Sequence, residues 1–187
     1  NVEQSEWKPV TSGIRQGSVL GLLLYVIYIN DMSEVLSADS SSYFFADDTK
    51  ASRVVDDLQD SRAMQADLDA LMEWSNLWLL KFNIDKCSIL SLGGRGISFD
   101  YTMGNGENLI RLKSSTEEKD IGVTVDSQLS FEKHMQTKVN KANSIMSIIR
   151  RTYCHLDNKS FRLLFKALVR PHLEYCNSVG KPYKVKD

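Results

Sequence analysis

The sequence predicts an α+β fold, and three observations carry that prediction. Residues 19–29 are apolar without a break except Gly21. Two short strand-like runs flank an acidic turn at residues 43–55. Past residue 130, apolar residues recur every three or four positions, as one face of a helix requires. The expected architecture is a mostly antiparallel sheet with helices on one face and the acidic hairpin at its centre, followed by a helical region from about residue 131.

Taken in order, "SVLGLLLYVIYINDM" (18–32) is apolar nearly all round if helical, so it is expected inside the fold, stopping near Asn30 and Asp31. "SADSSS" (37–42) is polar and turn-prone and suits a connection. Tyr43-Phe44-Phe45 and the run from Thr49 to Val55 then read as a β-hairpin with Asp47 and Asp48 at its tip. From Leu58 to Trp78, the residues Met64, Leu68, Leu71, Met72, Trp78 and Leu79 fit one helical stripe, with Asp67, Asp69 and Glu73 on other faces. That helix is expected to cover one face of the sheet. A strand over Ser88–Leu92 ends at "GGRG", Asn105-Gly106 marks a two-residue hairpin turn, and "KDIGVTVD" is a further short strand. Met135, Val139, Ala142, Met146 and Ile149 define one amphipathic helix, and Phe161, Leu164, Phe165 and Leu168 a second.

Composition excludes several classes. With 42% hydrophobic and 25% charged residues and three prolines in 187, the chain has the makings of a packed core. The longest apolar run falls short of the roughly 18 residues that span a bilayer, so no membrane partner is expected. The start at Asn1, directly in motif-like sequence without a signal-peptide pattern, reads as a fragment. Three widely spaced cysteines (Cys87, Cys154, Cys176) argue against a disulfide framework and for a reducing, intracellular location. Cys154, His155, His172 and Cys176 can be drawn as zinc ligands, but the first two are adjacent rather than loop-spaced, which favours packing roles. The net charge of −1 conceals an asymmetry: residues 1–130 hold 11 Lys and Arg against 20 Asp and Glu, a balance of −9, whereas residues 131–187 hold 12 against 4, a balance of +8. A basic C-terminal third suits a polyphosphate partner as well as a merely solvated helix.

The acidic pair concentrates the chemistry. Two adjacent carboxylates beside an aromatic strand repel each other, and a divalent cation set between them and a triphosphate would offset that repulsion. By itself Ala-Asp-Asp is a weak signal, since most such dipeptides are acidic turns facing water. The same holds for Gly-x-x-Gln-Gly at 13–17, which alone is an ordinary tight turn.

The neighbouring blocks narrow the choice. "SGIRQGSVLGLLLYVIYINDM", "YFFADDTK", "WSNLWLLKFNIDKC", "EKDIGVTVDSQLSFEKH" and "LVRPHLEYCNSV" stand in an order that resembles the reverse transcriptase of non-LTR (LINE-type, jockey-like) retrotransposons. The resemblance implies a partial right-hand polymerase palm over residues 1–130 and a helical thumb over 131–187. It implies RNA-directed DNA polymerisation with Mg²⁺ in a two-metal site, an RNA template, a DNA primer and deoxynucleoside triphosphates, within a nuclear or cytoplasmic ribonucleoprotein. Phe45-Ala46-Asp47-Asp48 matches the catalytic motif, with Asp47 and Asp48 as metal ligands. Gly13, Gln16, Gly17 and Ser18 match the loop beside the incoming nucleotide and templating base. Asn83 and Lys86 match the next palm segment, where Lys86 is a candidate proton donor to pyrophosphate. Ile121, Gly122 and Val123 match the primer-grip hairpin. Lys138, Lys141, Arg150, Arg151, Arg162 and Lys166 are candidates to contact backbone phosphates.

The chain also departs from the family pattern. Members carry a further catalytic aspartate on a strand before the glutamine loop, yet only eleven residues precede Ser12, and Asp31, Asp39 and Asp85 lie in the wrong blocks. The chain alone is therefore expected not to polymerise. Arg15 and Leu22 stand where members usually have proline, and Gly180 where they have tryptophan. Alternatives to the enzyme are a non-catalytic nucleic-acid-binding remnant and a degenerate transposon reading frame.

Overall fold

Ser18 opens the first helix in the computed structural model, which describes residues 17–93, 97–106, 108–153 and 155–179. Its hydroxyl accepts a hydrogen bond from the Gly21 amide at 3.2 Å, satisfying one of the donors that a helix leaves unpaired at its start. Helix α1 (Val19–Ile29) runs into a 3₁₀ turn (Asn30–Val35) without needing a proline at Leu22. The apolar run is thus helical, as expected, but it is not a buried core helix. Gly21 and Ile29 are buried and Tyr25 between them half-buried, while Val19 is 86% and Leu22 69% exposed. An all-round apolar helix calls for apolar partners on every side, and the described residues supply them along one stripe only.

The chain separates into two compact units, one holding the described residues up to Phe82 with Thr102–Leu109, the other holding Asn83–Tyr101 with the described residues from Ile110 onward. In the first unit, strands β1 (Ser40–Phe45) and β2 (Asp48–Arg53) form an antiparallel hairpin in which Ser40 pairs with Arg53 and Phe45 with Asp48. Helix α2 (Leu58–Leu77) starts on a capping box, with the Asp60 amide donating to Asp57 Oδ1 at 2.8 Å and the Asp57 amide to Asp60 Oδ2 at 3.3 Å. It ends as Leu79 turns into the left-handed region and the Leu80 amide reaches back to the Ser75 carbonyl. Met64, Leu68, Leu71, Met72 and Trp74 form its buried stripe, whereas Trp78 and Leu79 lie beyond the helix end and are exposed. Gln65 exchanges two 2.9 Å hydrogen bonds with the backbone of Thr102, seating strand β4 (Thr102–Asn105) on this helix.

The helix corrects one expectation. Asp67 is not on an outer face: it is 4% exposed, within the apolar stripe. It stays there because donors surround it. The Ser37 amide donates to Oδ1 at 2.8 Å, the Ser37 hydroxyl to Oδ2 at 3.0 Å, the Ser40 hydroxyl also bonds Oδ2, and the Arg53 guanidinium lies 3.7 Å away. Breaking a buried ion pair from one side typically costs about 3–5 kcal/mol, since the other charge is left uncompensated. Helical spacing alone does not place Asp67 inside, because a buried carboxylate depends on donors that arrive from other elements.

In the second unit, β3 (Ser88–Leu90) pairs in parallel with β6 (Lys113–Ser115). The segment "KDIGVTVD", expected as one strand, contributes to a hairpin of β7 (Glu117–Asp120) and β8 (Val123–Asp126), because Ile121 (φ 44°) and Gly122 (φ 76°) reverse the chain. The described strands, with β4 and its partner β5 (Asn108–Arg111), form four separate two-stranded ribbons. The α+β class holds, but no continuous sheet with the acidic hairpin at its centre is present among the described residues. Side-chain alternation identifies strands without specifying which edges meet.

Asp126 launches helix α3 (Glu132–Thr152) by accepting from the amides of Gln128, Ser130 and Phe131 and from the Ser130 hydroxyl at 2.8–3.1 Å. Ala142 and Ile149 of α3 pack with Val169, surrounded by Ile145, Met146, Leu156, Leu164 and Phe165. Helix α4 (Asn158–Leu164), capped by Asp157, passes through a π-helical turn (Phe165–Val169) into α5 (Arg170–Glu174). Pro171 explains the widened turn, as it has no amide to donate and its ring crowds the carbonyl four residues back.

Partial burial pushes the Asp126 carboxyl up, but its hydrogen bonds from Ser130, Phe131 and Gln128 outweigh that and hold it below the usual carboxylate range. Its stabilising contribution is therefore complete above the unfolded value of about 3.9 and lost as pH falls through the lower folded value. Asp126→Asn is expected to cost about 1 kcal/mol at neutral pH and to flatten this acid limb, as thermal melts across the acid range would register.

Candidate active site and nucleic-acid interface

The acidic hairpin turns on two residues, Ala46 and Asp47, because Phe45 and Asp48 already face each other as the last strand pair. Ala46 has φ 53°, a left-handed conformation that costs a non-glycine residue about 1–2 kcal/mol. Asp47 thus lies in the turn and Asp48 opens β2, so the two carboxylates are neighbours at one end of the hairpin. Both are exposed, as are Tyr43 and Phe45. At these exposed positions water screens part of their mutual repulsion.

Tyr25, which the sequence reading passed over, belongs to this site. Burial and the nearby negative charge of Asp47 push its phenol above its ordinary value. Its position midway between buried Gly21 and Ile29 at four-residue intervals was the available signal. Lower on the hairpin, the Thr49 hydroxyl meets Met32 Sδ at 3.8 Å, and Met32 is buried. The 3₁₀ turn bearing Met32 is tied to α2 by a 2.9 Å hydrogen bond from Trp74 Nε1 to Asp31.

Of the glutamine-loop candidates, Gly13 and Gln16 lie outside the described residues, as do Arg15 and Gly180. Gly17 has φ 81°, a conformation suited to glycine, and Ser18 caps α1. Lys86 ends a short 3₁₀ turn (Ile84–Lys86) in the second unit and is exposed. Of the proposed zinc set, Cys154 is outside the described residues, and no group of three or more potential metal ligands gathers among those described.

The second unit assembles a different constellation. Ile121 and Gly122 form the β7–β8 turn and Val123 opens β8, and the Tyr175 hydroxyl donates to the Ile121 carbonyl at 2.6 Å. The Lys138 ammonium sits 4.3 Å from the centre of the Tyr175 ring, a cation–π contact. His134, 3% exposed, accepts from the Thr124 amide at Nδ1 (3.2 Å), which requires a neutral Nδ1. Its Nε2 is buried without a hydrogen-bond partner. Burial and the Lys138 charge hold this imidazole below its usual range, partly opposed by the Tyr175 backbone. Lys138 therefore reaches the turn through Tyr175. Lys141, Arg150 and Arg151 are exposed along α3. Arg162 and Lys166, one helical turn apart, line a shallow depression with Asn158, Lys159 and Leu163.

Residues 1–139 match the family model described as reverse transcriptase (RNA-dependent DNA polymerase). The chain belongs to the reverse transcriptase family. It is similar to the RNA-directed DNA polymerase from mobile element jockey of Drosophila melanogaster, at 32% identity over 74% of this chain and 16% of the relative. Against the jockey polymerase of Drosophila funebris the identity is 30% over 94% of this chain and 20% of the relative. The probable RNA-directed DNA polymerase from transposon X-element of Drosophila melanogaster matches at 29% over 89% and 19%. The chain thus spans a fifth or less of these relatives' length. No solved structure gives a significant match. Members of the family generally use a divalent metal. This jockey-like reverse transcriptase domain has no helix among its described residues long and apolar enough to cross a membrane.

Two predictions follow from the β7–β8 turn. At Gly122 a Cβ would meet the Tyr175 hydroxyl at 3.1 Å and would sit on backbone of positive φ, so Gly122→Ala should cost about 1–2 kcal/mol, read in urea unfolding. Because the folded state disfavours His134 protonation, its stabilising contribution is full above the unfolded value near 6.5 and lost as pH drops below it. The protection of the Thr124 amide, taken relative to its intrinsic exchange rate at each pH, is expected to fall on acidification from neutral pH to about 5.5, and His134→Gln to abolish that dependence.

Proposed function

We propose that this chain supplies part of an RNA-directed DNA polymerase, the reverse transcriptase of a non-LTR retrotransposon, extending a DNA primer on an RNA template from deoxynucleoside triphosphates. The observation that carries the reading is the presentation of Asp47 and Asp48 together at the turn of the hairpin, in a chain whose family match spans residues 1–139. In this reading residues 1–130 are palm and 131–187 thumb, and the intact protein works in a nuclear or cytoplasmic ribonucleoprotein.

The donor set fits Mg²⁺, since both groups are carboxylates and that ion prefers oxygen ligands. Asp47 and Asp48 would hold it. A two-metal site supplies activation of the primer's 3′-hydroxyl and charge stabilisation on the leaving pyrophosphate. The reaction forms a bond from the 3′-oxygen to the α-phosphorus, breaks that phosphorus's bond to pyrophosphate and releases the hydroxyl proton. Gly13, Gln16, Gly17 and Ser18 are proposed to serve the incoming nucleotide, and Lys86 to protonate pyrophosphate. Ile121–Val123 hold the primer terminus on a turn stiffened by Tyr175 and His134. Lys141, Arg150, Arg151, Arg162 and Lys166, with Lys138 beside the turn, meet backbone phosphates.

A third carboxylate must complete the metal site, and the described residues gather none beside Asp47 and Asp48. That favours a second reading, in which the chain alone binds nucleic acid without catalysis, with affinity for an RNA–DNA hybrid falling steeply with salt. Primer extension on an RNA template separates the two. The chain alone is expected to incorporate nothing, and its fusion to an N-terminal half from a jockey relative to extend the primer. Asp47→Ala in the fusion should reduce incorporation at least 100-fold. Undiminished extension by that variant would refute the assignment.

A further inference from the structure

The hairpin bearing the acidic turn is held at its far end. Ser40 and Arg53 are the strand pair at its base, Phe45 and Asp48 the pair at its tip, and five residue steps of about 3.4 Å put roughly 17 Å between them. The base converges on Asp67 of α2, which takes hydrogen bonds from the Ser37 amide and the Ser37 and Ser40 hydroxyls and faces the Arg53 guanidinium. Arg53 adds bonds of its own to the Ser37 hydroxyl at 2.7 Å, the Ser40 hydroxyl at 3.3 Å and Asp39 at 3.3 Å. Nearer the tip, the hairpin's described hydrogen bond to the 3₁₀ turn is the weak one from Thr49 to Met32.

We infer that Asp67 is a positioning residue: its buried carboxylate fixes the angle at which the hairpin leaves α2 and so sets where Asp47 and Asp48 point. This rests on the polymerase reading of those two acids. Leverage makes the base decisive, because over roughly 17 Å a tilt of about 3–4° moves the tip by about 1 Å. An error of that size in a reacting geometry can cost about 100-fold in rate. A neutral residue at 67 keeps the volume but offers a misplaced donor to two hydroxyls and leaves the buried Arg53 guanidinium with the exposed Asp39 as its remaining carboxylate partner.

The test uses the 187-residue chain and two readouts, backbone amide exchange and paramagnetic broadening by Mn²⁺ in place of Mg²⁺. In Asp67→Asn, amides of residues 40–45 and 48–53 are expected to exchange at least tenfold faster while those of 58–77 keep their protection. Mn²⁺ broadening at residues 46–49 is expected to fall at least threefold. Hairpin exchange that stays unchanged, or a loss of protection shared equally by hairpin and helix, would overturn the inference. If Asp67→Asn does not fold, Ser40→Ala, which removes one donor and strands no charge, is judged by the same outcomes. A wild-type chain without broadening at residues 46–49 would sink the metal reading of Asp47 and Asp48, whereas the exchange data still decide whether Asp67 holds the hairpin.

Discussion

A carboxylate inside an apolar helix face is the constraint on which the first unit depends. Asp67 shares the buried side of α2 with Met64, Leu68 and Leu71, where an unpaired charge is intolerable. It is tolerated because the connection before β1 and the last residue of β2 bring their donors to it. The same helix receives Asp31 through Trp74 and the backbone of Thr102 through Gln65. Helix α2 thus acts as a bench on which the 3₁₀ turn, the hairpin base and β4 are each fixed by a directional polar contact, with methionine and leucine filling the space between.

The two candidate functional turns are built on opposite principles. The acidic turn projects its charges into water on a left-handed alanine. The β7–β8 turn is braced: a tyrosine hydroxyl holds its carbonyl, a buried histidine the next strand, and a lysine lies on the tyrosine ring.

Much of the local structure was legible in sequence. The span of α2, the Asn105-Gly106 turn, the hairpin around Asp47 and the helices past residue 130 all follow from periodicity and turn chemistry. So did the family, because five motif blocks in order constrain more than any one of them. The misreadings share a cause. Alternation identifies a strand but not its partner, so four ribbons were expected as one sheet. Apolarity shows that α1 seeks burial but not whether neighbours provide it, and charge places Asp67 outside unless its donors are known. Tyr25 and His134 lie inside two of the quoted blocks but carry no motif role there; each matters through residues distant in sequence or on another element, Asp47 for one and Thr124 and Tyr175 for the other.

The amino-acid order by itself determined the element types and the identity of the acidic pair, which depend on residues within a few positions of one another, and the family, which depends on the order of short blocks along the chain. Tertiary structure alone decided which side chains are buried with partners, which strands meet, and that the acidic hairpin is anchored at its base through Asp67. Those outcomes depend on groups some thirty residues apart arriving at one carboxylate, and hydrogen bonds and ion pairs act over a few ångströms of space whatever the separation along the chain.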